Sequence, residues 1–200
     1  TAQKRDAVYA MVEEMIAEYE AMLQEEDWLS QATRDRAIRK LKAIRLRIGT
    51  PEDIDRYLSA YTPDPNKSYL ENVMALRQEA SEKQYDSYGQ QVDRTIWNIL
   101  PQELIPCYYP TDNSINIPVS VLEAPYIDPD ADEAQNLGAL GTIIGHEITH
   151  AFDDLGSQYD ENGDFVNWWT EDDRKAFDDR AEKIVCYYNS YKTPGIMRQD

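Results

Sequence analysis

Apolar residues recur at helical spacing along the N-terminal part of the chain. Between about Asp6 and Glu26, apolar positions three or four apart are separated by acids and glutamine. The series consists of Val8, Met11, Val12, Met15, Ile16, Tyr19, Met22 and Leu23. This period predicts an amphipathic helix whose apolar stripe packs into a core rather than forming a binding surface.

A second amphipathic helix is predicted after Ser30, which is a favoured helix cap. Gly49 and Pro51 supply the stop signal of this helix. Its apolar stripe consists of Ala37, Ile38, Leu41, Ile44 and Ile48. The basic residues from Arg34 to Arg47 alternate with the stripe, and we interpret them as a solvated helix face.

The middle of the chain changes from helical to extended character. A turn-rich break from Tyr61 to Asn66 precedes a third predicted helix, which runs from Ser68 to about Tyr85. Further on, Ile115-Asn116-Ile117-Pro118 predicts a short strand, whose proline suits the edge of a sheet. An extended peptide can bind by adding a strand to such an edge.

The C-terminal part contains a turn and a further helix. The segment from Asp160 to Asp164 resembles a fragment of a calcium loop, but it lacks the spacing to a terminal bidentate glutamate. Its Asn162-Gly163 pair is typical of a hairpin turn, so we favour a turn over a calcium site. Trp168 and Trp169 are expected in the core, ahead of a helix from Thr170 to about Tyr188.

The charge balance restricts the classes of partner. The 200 residues include 38 Asp and Glu against 20 Lys and Arg, a formal net charge of −18, which argues against nucleic acid as a partner. No apolar run approaches the roughly 18 residues of a membrane span, and no signal peptide begins the chain. Because the first residue is not Met, an upstream anchor or signal stays open.

The two cysteines, Cys107 and Cys186, are too few for a disulfide framework. They favour either a reducing compartment or a bacterial surface. A cytoplasmic location and a cell-surface, extracytoplasmic bacterial location are therefore both expected alternatives.

Both histidines of the chain, His146 and His150, flank Glu147 in the segment His-Glu-Ile-Thr-His. A helix is predicted around them, from about Glu133 to Asp154, with Gly156 at or just beyond its end. A spacing of four on a helix brings both imidazoles to one face, where two neutral nitrogens can hold one Zn²⁺. Glu147 projects beside them and suits the general base of a zinc peptidase.

Such a motif also occurs by chance on charged surface helices. Here it follows apolar and small residues from Leu137 to Gly145, and burying two histidines without a partner is costly. We favour a metal site. The alternative is a helical structural or interaction domain that binds no metal. Asp153 lies on the same helical face and is a candidate to orient one histidine, although a plain helix-end carboxylate fits equally well.

Several stretches together carry a family resemblance. They are Ile144-Gly145-His146-Glu147-Ile148-Thr149-His150-Ala151-Phe152-Asp153-Asp154, Asp160-x-x-Gly163-Asp164 with Trp168-Trp169-Thr170, Tyr108, Ile115-x-Ile117-Pro118, and Arg47-Ile48-Gly49-x-Pro51. On these residues the chain resembles the neprilysin family of zinc metallopeptidases, which includes endothelin-converting enzymes and bacterial oligopeptidases. The resemblance spans most of the chain.

The resemblance implies a mainly helical fold with a small β-sheet and a thermolysin-like, zincin catalytic core that is incomplete at its C-terminus. Residues 1–96 are then a mainly helical segment leading into the catalytic domain, and residues 97–200 form the N-terminal part of that domain. It also implies Zn²⁺ as cofactor, peptides as partners, and hydrolysis of oligopeptides on the amino side of bulky apolar residues.

The chain departs from the family in its metal ligands. The family's third zinc ligand is a glutamate in an E-N-x-x-D motif beyond the paired tryptophans, and no such motif follows His150. Glu161, Glu171 and Glu182 lie downstream but outside any such motif. We expect that Asp200 falls just short of the ligand and that this piece alone is inactive.

A second departure concerns substrate binding. The family usually has Asn-Ala ahead of its aromatic residues, with the Asn side chain bonding the peptide backbone, whereas Ile105-Pro106 stands here. Neither residue can make that bond, so the substrate-binding residues are left unassigned. A catalytically silent zinc- or peptide-binding module of the same fold is therefore the alternative to an active peptidase.

Overall fold

A computed structural model describes residues 2–57 and 62–191. Tyr61, where the predicted turn-rich break begins, and Asp200 lie outside the described residues. Within the described ranges the fold is mainly helical, with one small sheet, as predicted. No helix in this part of the chain is both long and apolar enough to cross a membrane.

The first two helices agree with the apolar periodicity over most of their length. Helix α1 is Ala2–Glu25, and its Val8 and Val12 are fully buried. Helix α2 is Gln31–Lys42, and the Ser30 side chain accepts a hydrogen bond from the Thr33 backbone N–H at its start. Both stripes pack into the core, as expected of amphipathic helices.

Helix α2 ends earlier than predicted, because Arg45–Gly49 forms strand β1. Ile44 and Ile48 satisfy a helical spacing of four, but with Leu46 they also alternate with the period of a strand. Parallel pairing with a later strand decides between the two periods. The predicted extension of the helix to Ile48 is wrong.

The prediction of a solvated basic face is also wrong at two positions. Lys40 and Arg47 are buried, being 1% and 5% exposed. Arg47 pairs with Asp112 at 2.7 Å and donates to Ser114 Oγ at 2.9 Å. Internal partners offset the cost of burying these cations.

The sheet has the strand order β1-β3-β2 within the described residues, with β2 at Cys107–Tyr109 and β3 at Ser114–Pro118. Strand β3 is parallel to β1 and antiparallel to β2. The predicted strand around Ile115 is confirmed, but its assignment to a sheet edge is wrong, because β3 is central and buried throughout. Pro118 is tolerated there because it stands at the last paired position, opposite Gly49.

The main core lies between α1, the sheet and the helix that carries the histidine motif. It includes Val12 and Leu41 from one side of the predicted division at residue 96, and Ile115, Ile117 and Ile144 from the other. Helix α3, Tyr69–Asp86, begins with a capping box between Ser68 and Glu71 but buries none of its residues. This helix confirms the third predicted one.

The motif lies on one helical run made of α4 at Glu133–Asn136, a π-helical turn at Leu137–Gly141 and α5 at Thr142–Thr149. The run ends at His150 rather than at Asp154, and a short 3₁₀ turn follows at Gly156–Gln158. Helix α1 packs against this run, and its Tyr19 hydroxyl donates to the Gly145 carbonyl at 2.9 Å.

The segment after the motif matches the sequence predictions. Gly163 has a φ of 81° in a turn between Tyr159 and Phe165, which form an antiparallel bridge. Trp168 and Trp169 are buried in a smaller core cluster. Helix α6 is Glu171–Asn189, and the Thr170 side chain accepts from the Asp173 N–H at its start.

Candidate metal centre

Helix α5 places the two histidines one turn apart on the same face, as predicted. The ring centroids of His146 and His150 are 4.4 Å apart, and the rings meet edge to face at 83°. Their Nε2 atoms lie 2.9 Å from each other. Two ring nitrogens therefore converge on one point beside the helix.

The geometry can be compared with the needs of a zinc ion. Zn–N bonds of about 2.0–2.1 Å in a tetrahedral site separate two nitrogen ligands by about 3.3 Å. The observed Nε2–Nε2 distance of 2.9 Å is a hydrogen-bond distance, at which one nitrogen carries the proton and the other accepts it. Replacing that proton by a metal requires the rings to separate by only a few tenths of an ångström. The pair fits zinc.

Glu147 faces the same space and is held by the sheet. Its carboxylate Oε2 accepts a hydrogen bond from the Tyr108 backbone N–H of strand β2 at 2.7 Å, and the residue is 6% exposed. Burial raises the pKa of the Glu147 carboxyl above its ordinary value, although the Tyr108 N–H and the two histidines act in the opposite direction. Such an environment suits a carboxylate that exchanges protons.

Asp153 contacts the second histidine. Its Oδ2 lies 2.6 Å from His150 Nδ1. Because an ionised carboxylate only accepts hydrogen bonds, Nδ1 carries the proton and His150 Nε2 keeps its lone pair for a metal. The other oxygen, Oδ1, accepts from the backbone N–H groups of Leu155 and Gly156 at 3.0 and 2.7 Å.

The turn that follows His150 is unusually tight. A Cβ atom added to Gly156 would lie 1.8 Å from the His150 carbonyl oxygen, so only glycine fits at this position. The Gly156 N–H reaches Asp153 as a result of this approach. The turn therefore helps to set the carboxylate that contacts His150.

The motif opens into a cleft of about 380 Å³. One wall is strand β2 and the residues before it, where Ile105 is 70% exposed. Cys107 also lines the cleft, and burial raises the pKa of its thiol. The sequence analysis did not place Cys107 or the Tyr108 N–H at the site.

Among the described residues, His146, Glu147 and His150 form the one cluster that could hold a metal. Glu161 pairs instead with Arg36 and Arg39. In the predicted hairpin turn, Asp160 Oδ1 accepts from the backbone N–H groups of Asn162 and Asp164. These bonds hold the hairpin turn.

Comparison with known proteins shows the family of this chain. Two models of peptidase family M13 match the chain, one over residues 1–51 and the other over residues 106–199. The chain belongs to peptidase family M13, which confirms the resemblance to the neprilysin group.

Two of the similar proteins are bacterial. A neutral endopeptidase of Lactobacillus helveticus is 36% identical over 180 residues, which cover 90% of this chain and 28% of the relative. A putative zinc metalloproteinase of Streptococcus gordonii is 36% identical over 182 residues, covering 90% of this chain and 32% of the relative. The chain thus spans about a third or less of the length of these relatives.

Solved structures show the same fold. PEPO of Lactobacillus rhamnosis superposes with a TM-score of 0.89 at 33% identity, covering 98% of this chain and 31% of that one. The zinc metalloprotease ZMP1 of Mycobacterium tuberculosis, in complex with an inhibitor, gives a TM-score of 0.86 at 33% identity, covering 96% and 30%. The zincin-like fold class is confirmed, and family and cluster together indicate zinc as the metal.

Proposed function

We propose that the protein containing this chain is a zinc-dependent peptidase that cleaves oligopeptides on the amino side of bulky apolar residues. The observation that carries the proposal is the convergence of His146 Nε2 and His150 Nε2 beside Glu147 at the floor of an open cleft. Membership of family M13 supports the reaction class.

In this proposal each residue of the motif has one role. His146 and His150 hold the metal through their Nε2 atoms, and Asp153 keeps the proton of His150 on Nδ1. When bound, zinc acts as a Lewis acid that polarises a carbonyl and lowers the pKa of water to about 7.

Glu147 moves the proton. It takes a proton from the water that adds to the scissile carbonyl carbon, and it delivers that proton to the amine nitrogen as the C–N bond breaks. The Tyr108 N–H fixes the carboxylate for this transfer. A raised pKa brings the carboxyl closer to the range in which it can both accept and return a proton.

The described residues supply two metal ligands, whereas catalytic zinc sites usually have three from the protein. We therefore propose that the 200-residue chain on its own binds zinc weakly and does not turn over peptide. Its acidic composition argues against nucleic acid as a partner.

A silent zinc- or peptide-binding module is the second candidate. It is favoured by Ile105 and Pro106, which line the cleft without a side-chain amide to bond a peptide backbone. Peptide bound along the exposed edge of β2 would then be held but not cleaved.

Glu147→Gln in the longest form of the protein that contains this chain separates the two candidates. The Gln carbonyl can still accept from the Tyr108 N–H, so the fold and zinc binding should be kept. Loss of the base should lower kcat by about 10²- to 10⁴-fold on a peptide with an apolar residue after the scissile bond.

The matched control is Glu133→Gln, an exposed change on the same helical run. It should leave the rate unchanged. A wild-type protein that binds zinc and the peptide without cleaving it would support the silent module. Near wild-type turnover by Glu147→Gln would exclude Glu147 as the base.

A further inference from the structure

Lys40 on helix α2 is a buried cation with no role in the motif. It is 1% exposed, in contrast to the exposed lysines that dominate protein surfaces. Its ammonium lies about 6 Å from the ring centroids of Tyr108, Phe152 and Trp168. Burying a charge in this way is costly unless it is fully hydrogen-bonded.

All three N–H donors of the ammonium make hydrogen bonds, and their three acceptors lie on one segment of the chain. Nζ donates to the carbonyl oxygens of Ala151, Gly156 and Tyr159 at 2.7, 2.6 and 2.7 Å. These carbonyls belong to the nine residues that follow His150, where the α5 helix has ended. One side chain from a distant helix therefore fixes the start, middle and end of this irregular segment.

The segment also carries the contact to the metal centre. Asp153 lies between the first two anchored carbonyls, and its Oδ1 accepts from the N–H of Gly156, whose own carbonyl Lys40 holds. Its Oδ2 accepts from His150 Nδ1. A continuous chain of hydrogen bonds thus runs from Lys40 through Gly156 and Asp153 to His150.

A second connection leads from Lys40 to the sheet. Its backbone carbonyl accepts from Asn113 Nδ2 at 3.1 Å, and Asn113 Oδ1 accepts from the Tyr108 hydroxyl at 2.8 Å. Tyr108 is the residue whose N–H holds Glu147. Lys40 is therefore connected to the supports of both His150 and Glu147.

We propose that Lys40 is a positioning residue of the metal centre, which holds the segment 151–159 so that Asp153 keeps His150 Nε2 directed at the metal position. The inference rests on the proposed function, because it assumes that His150 binds zinc. According to this inference, the orientation of His150 depends on a residue that lies more than a hundred positions away in sequence.

The electrostatics are consistent with an ammonium at neutral pH. Burial lowers the pKa of Lys40 to about 8, while the carboxylates of Asp160, Asp153 and Glu161 act to raise it. Three carbonyl acceptors at short distance also favour the charged form. The anchor is thus a charged donor, whose bonds are stronger than those of a neutral one.

Lys40→Met tests the proposal, because Met keeps much of the side-chain length but removes the donors and the charge. We expect zinc affinity, measured by competition with a chromophoric chelator, to fall by about 10- to 100-fold, the range found when partners of a ligand are lost. In ¹⁵N NMR spectra of the metal-free protein, His150 should lose its single Nδ1–H tautomer.

The matched control is Leu41→Ala at the neighbouring position, whose side chain is fully buried and has no hydrogen-bonding atom. It should lower the melting temperature, because it leaves a cavity in the core, yet leave the zinc affinity and the His150 tautomer unchanged. This comparison, made well below both melting temperatures, separates positioning from general stability.

If Lys40→Met does not fold, Lys40→Gln replaces it, since the amide keeps two N–H donors without the charge. The inference is overturned if either folded variant binds zinc as tightly as wild type, or if Leu41→Ala weakens zinc binding equally. Wild-type protein that binds no zinc would instead overturn the proposed function.

Discussion

A substitution of Asp153 that changes one group of its side chain tests whether this residue orients His150. Replacing Asp153 by Asn exchanges one carboxylate oxygen for an NH₂ group. If the remaining oxygen keeps the N–H groups of Leu155 and Gly156, the new NH₂ faces His150 Nδ1. Two donors cannot pair, so His150 must move its proton to Nε2, where it blocks the lone pair that a metal needs.

The opposite amide orientation is also unfavourable. It would satisfy His150 but would leave the buried Gly156 N–H facing a donor, which costs about 1–3 kcal/mol for a buried unsatisfied group. In the first orientation, zinc affinity should fall by about 10- to 100-fold, or about 1.4–2.7 kcal/mol, whereas the second orientation should lower the melting temperature. The melting temperature should change little in the first orientation.

The assay is chelator competition at neutral pH, with ¹⁵N NMR to record the His150 tautomer. Asp154→Asn is the control, because Asp154 is exposed and adjacent and has the same chemistry. If Asp153→Asn bound zinc as tightly as wild type, kept the His150 proton on Nδ1 and melted at the wild-type temperature, Asp153 would be a plain helix-end carboxylate. The tautomer argument would then be refuted.

Two further substitutions test the turn after the motif and the start of helix α6. Gly156→Ala should displace the turn, because its Cβ would lie 1.8 Å from the His150 carbonyl oxygen, and it should lower both the melting temperature and zinc affinity, whereas Gly138→Ala, at an open helical position, should not. Burial alone would raise the pKa of Asp173, but hydrogen bonds from Ser30, Thr170 and Thr33 outweigh it and lower the pKa to about 2. That carboxylate therefore stabilises the fold above its unfolded pKa of 3.8, and the contribution is lost as pH falls toward 2. Asp173→Asn should cost about 2–3 kcal/mol at neutral pH, with the difference from wild type in urea unfolding vanishing in acid; a difference that persisted there would contradict the assignment.

The metal motif could be predicted from sequence because its geometry is local. On a helix, a spacing of four fixes the relation of His146 to His150 whatever the rest of the fold does. The N-terminal caps Ser30, Ser68 and Thr170 were predictable for the same reason, since a cap bonds backbone groups two or three residues away.

Strand β1 could not be predicted from its own residues. Ile44 and Ile48 fit a helix as well as a strand. Pairing with β3 decides between them, and the residues that pair are far apart in sequence: Arg45 of β1 pairs with Ser114 of β3, 69 positions further on. Local pattern carries no information about which distant strand is available. The same limit explains why β3, with its terminal proline, was assigned to an edge.

The burial of Lys40 has a physical cause that lies outside its own helix. A lysine in an amphipathic pattern is expected in solvent, because burial of an unpaired charge is unfavourable. Lys40 is buried only because the backbone carbonyls of Ala151, Gly156 and Tyr159 meet at its position. They can converge on Lys40 because the regular helix α5 ends at His150, and that early end was itself missed.

The position of Gly156 shows how these features depend on one another. The sequence predicted this glycine at or just beyond the end of the motif helix, but the helix ends at His150, six residues earlier. Gly156 does not have a positive φ that would require glycine. The requirement is steric: the chain must return to the His150 carbonyl closely enough to exclude any Cβ. That return aims the Gly156 carbonyl at Lys40 and its N–H at Asp153. The chemistry of the motif is therefore encoded locally, whereas the direction of the His150 ring depends on a turn that Lys40 of the distant helix α2 holds.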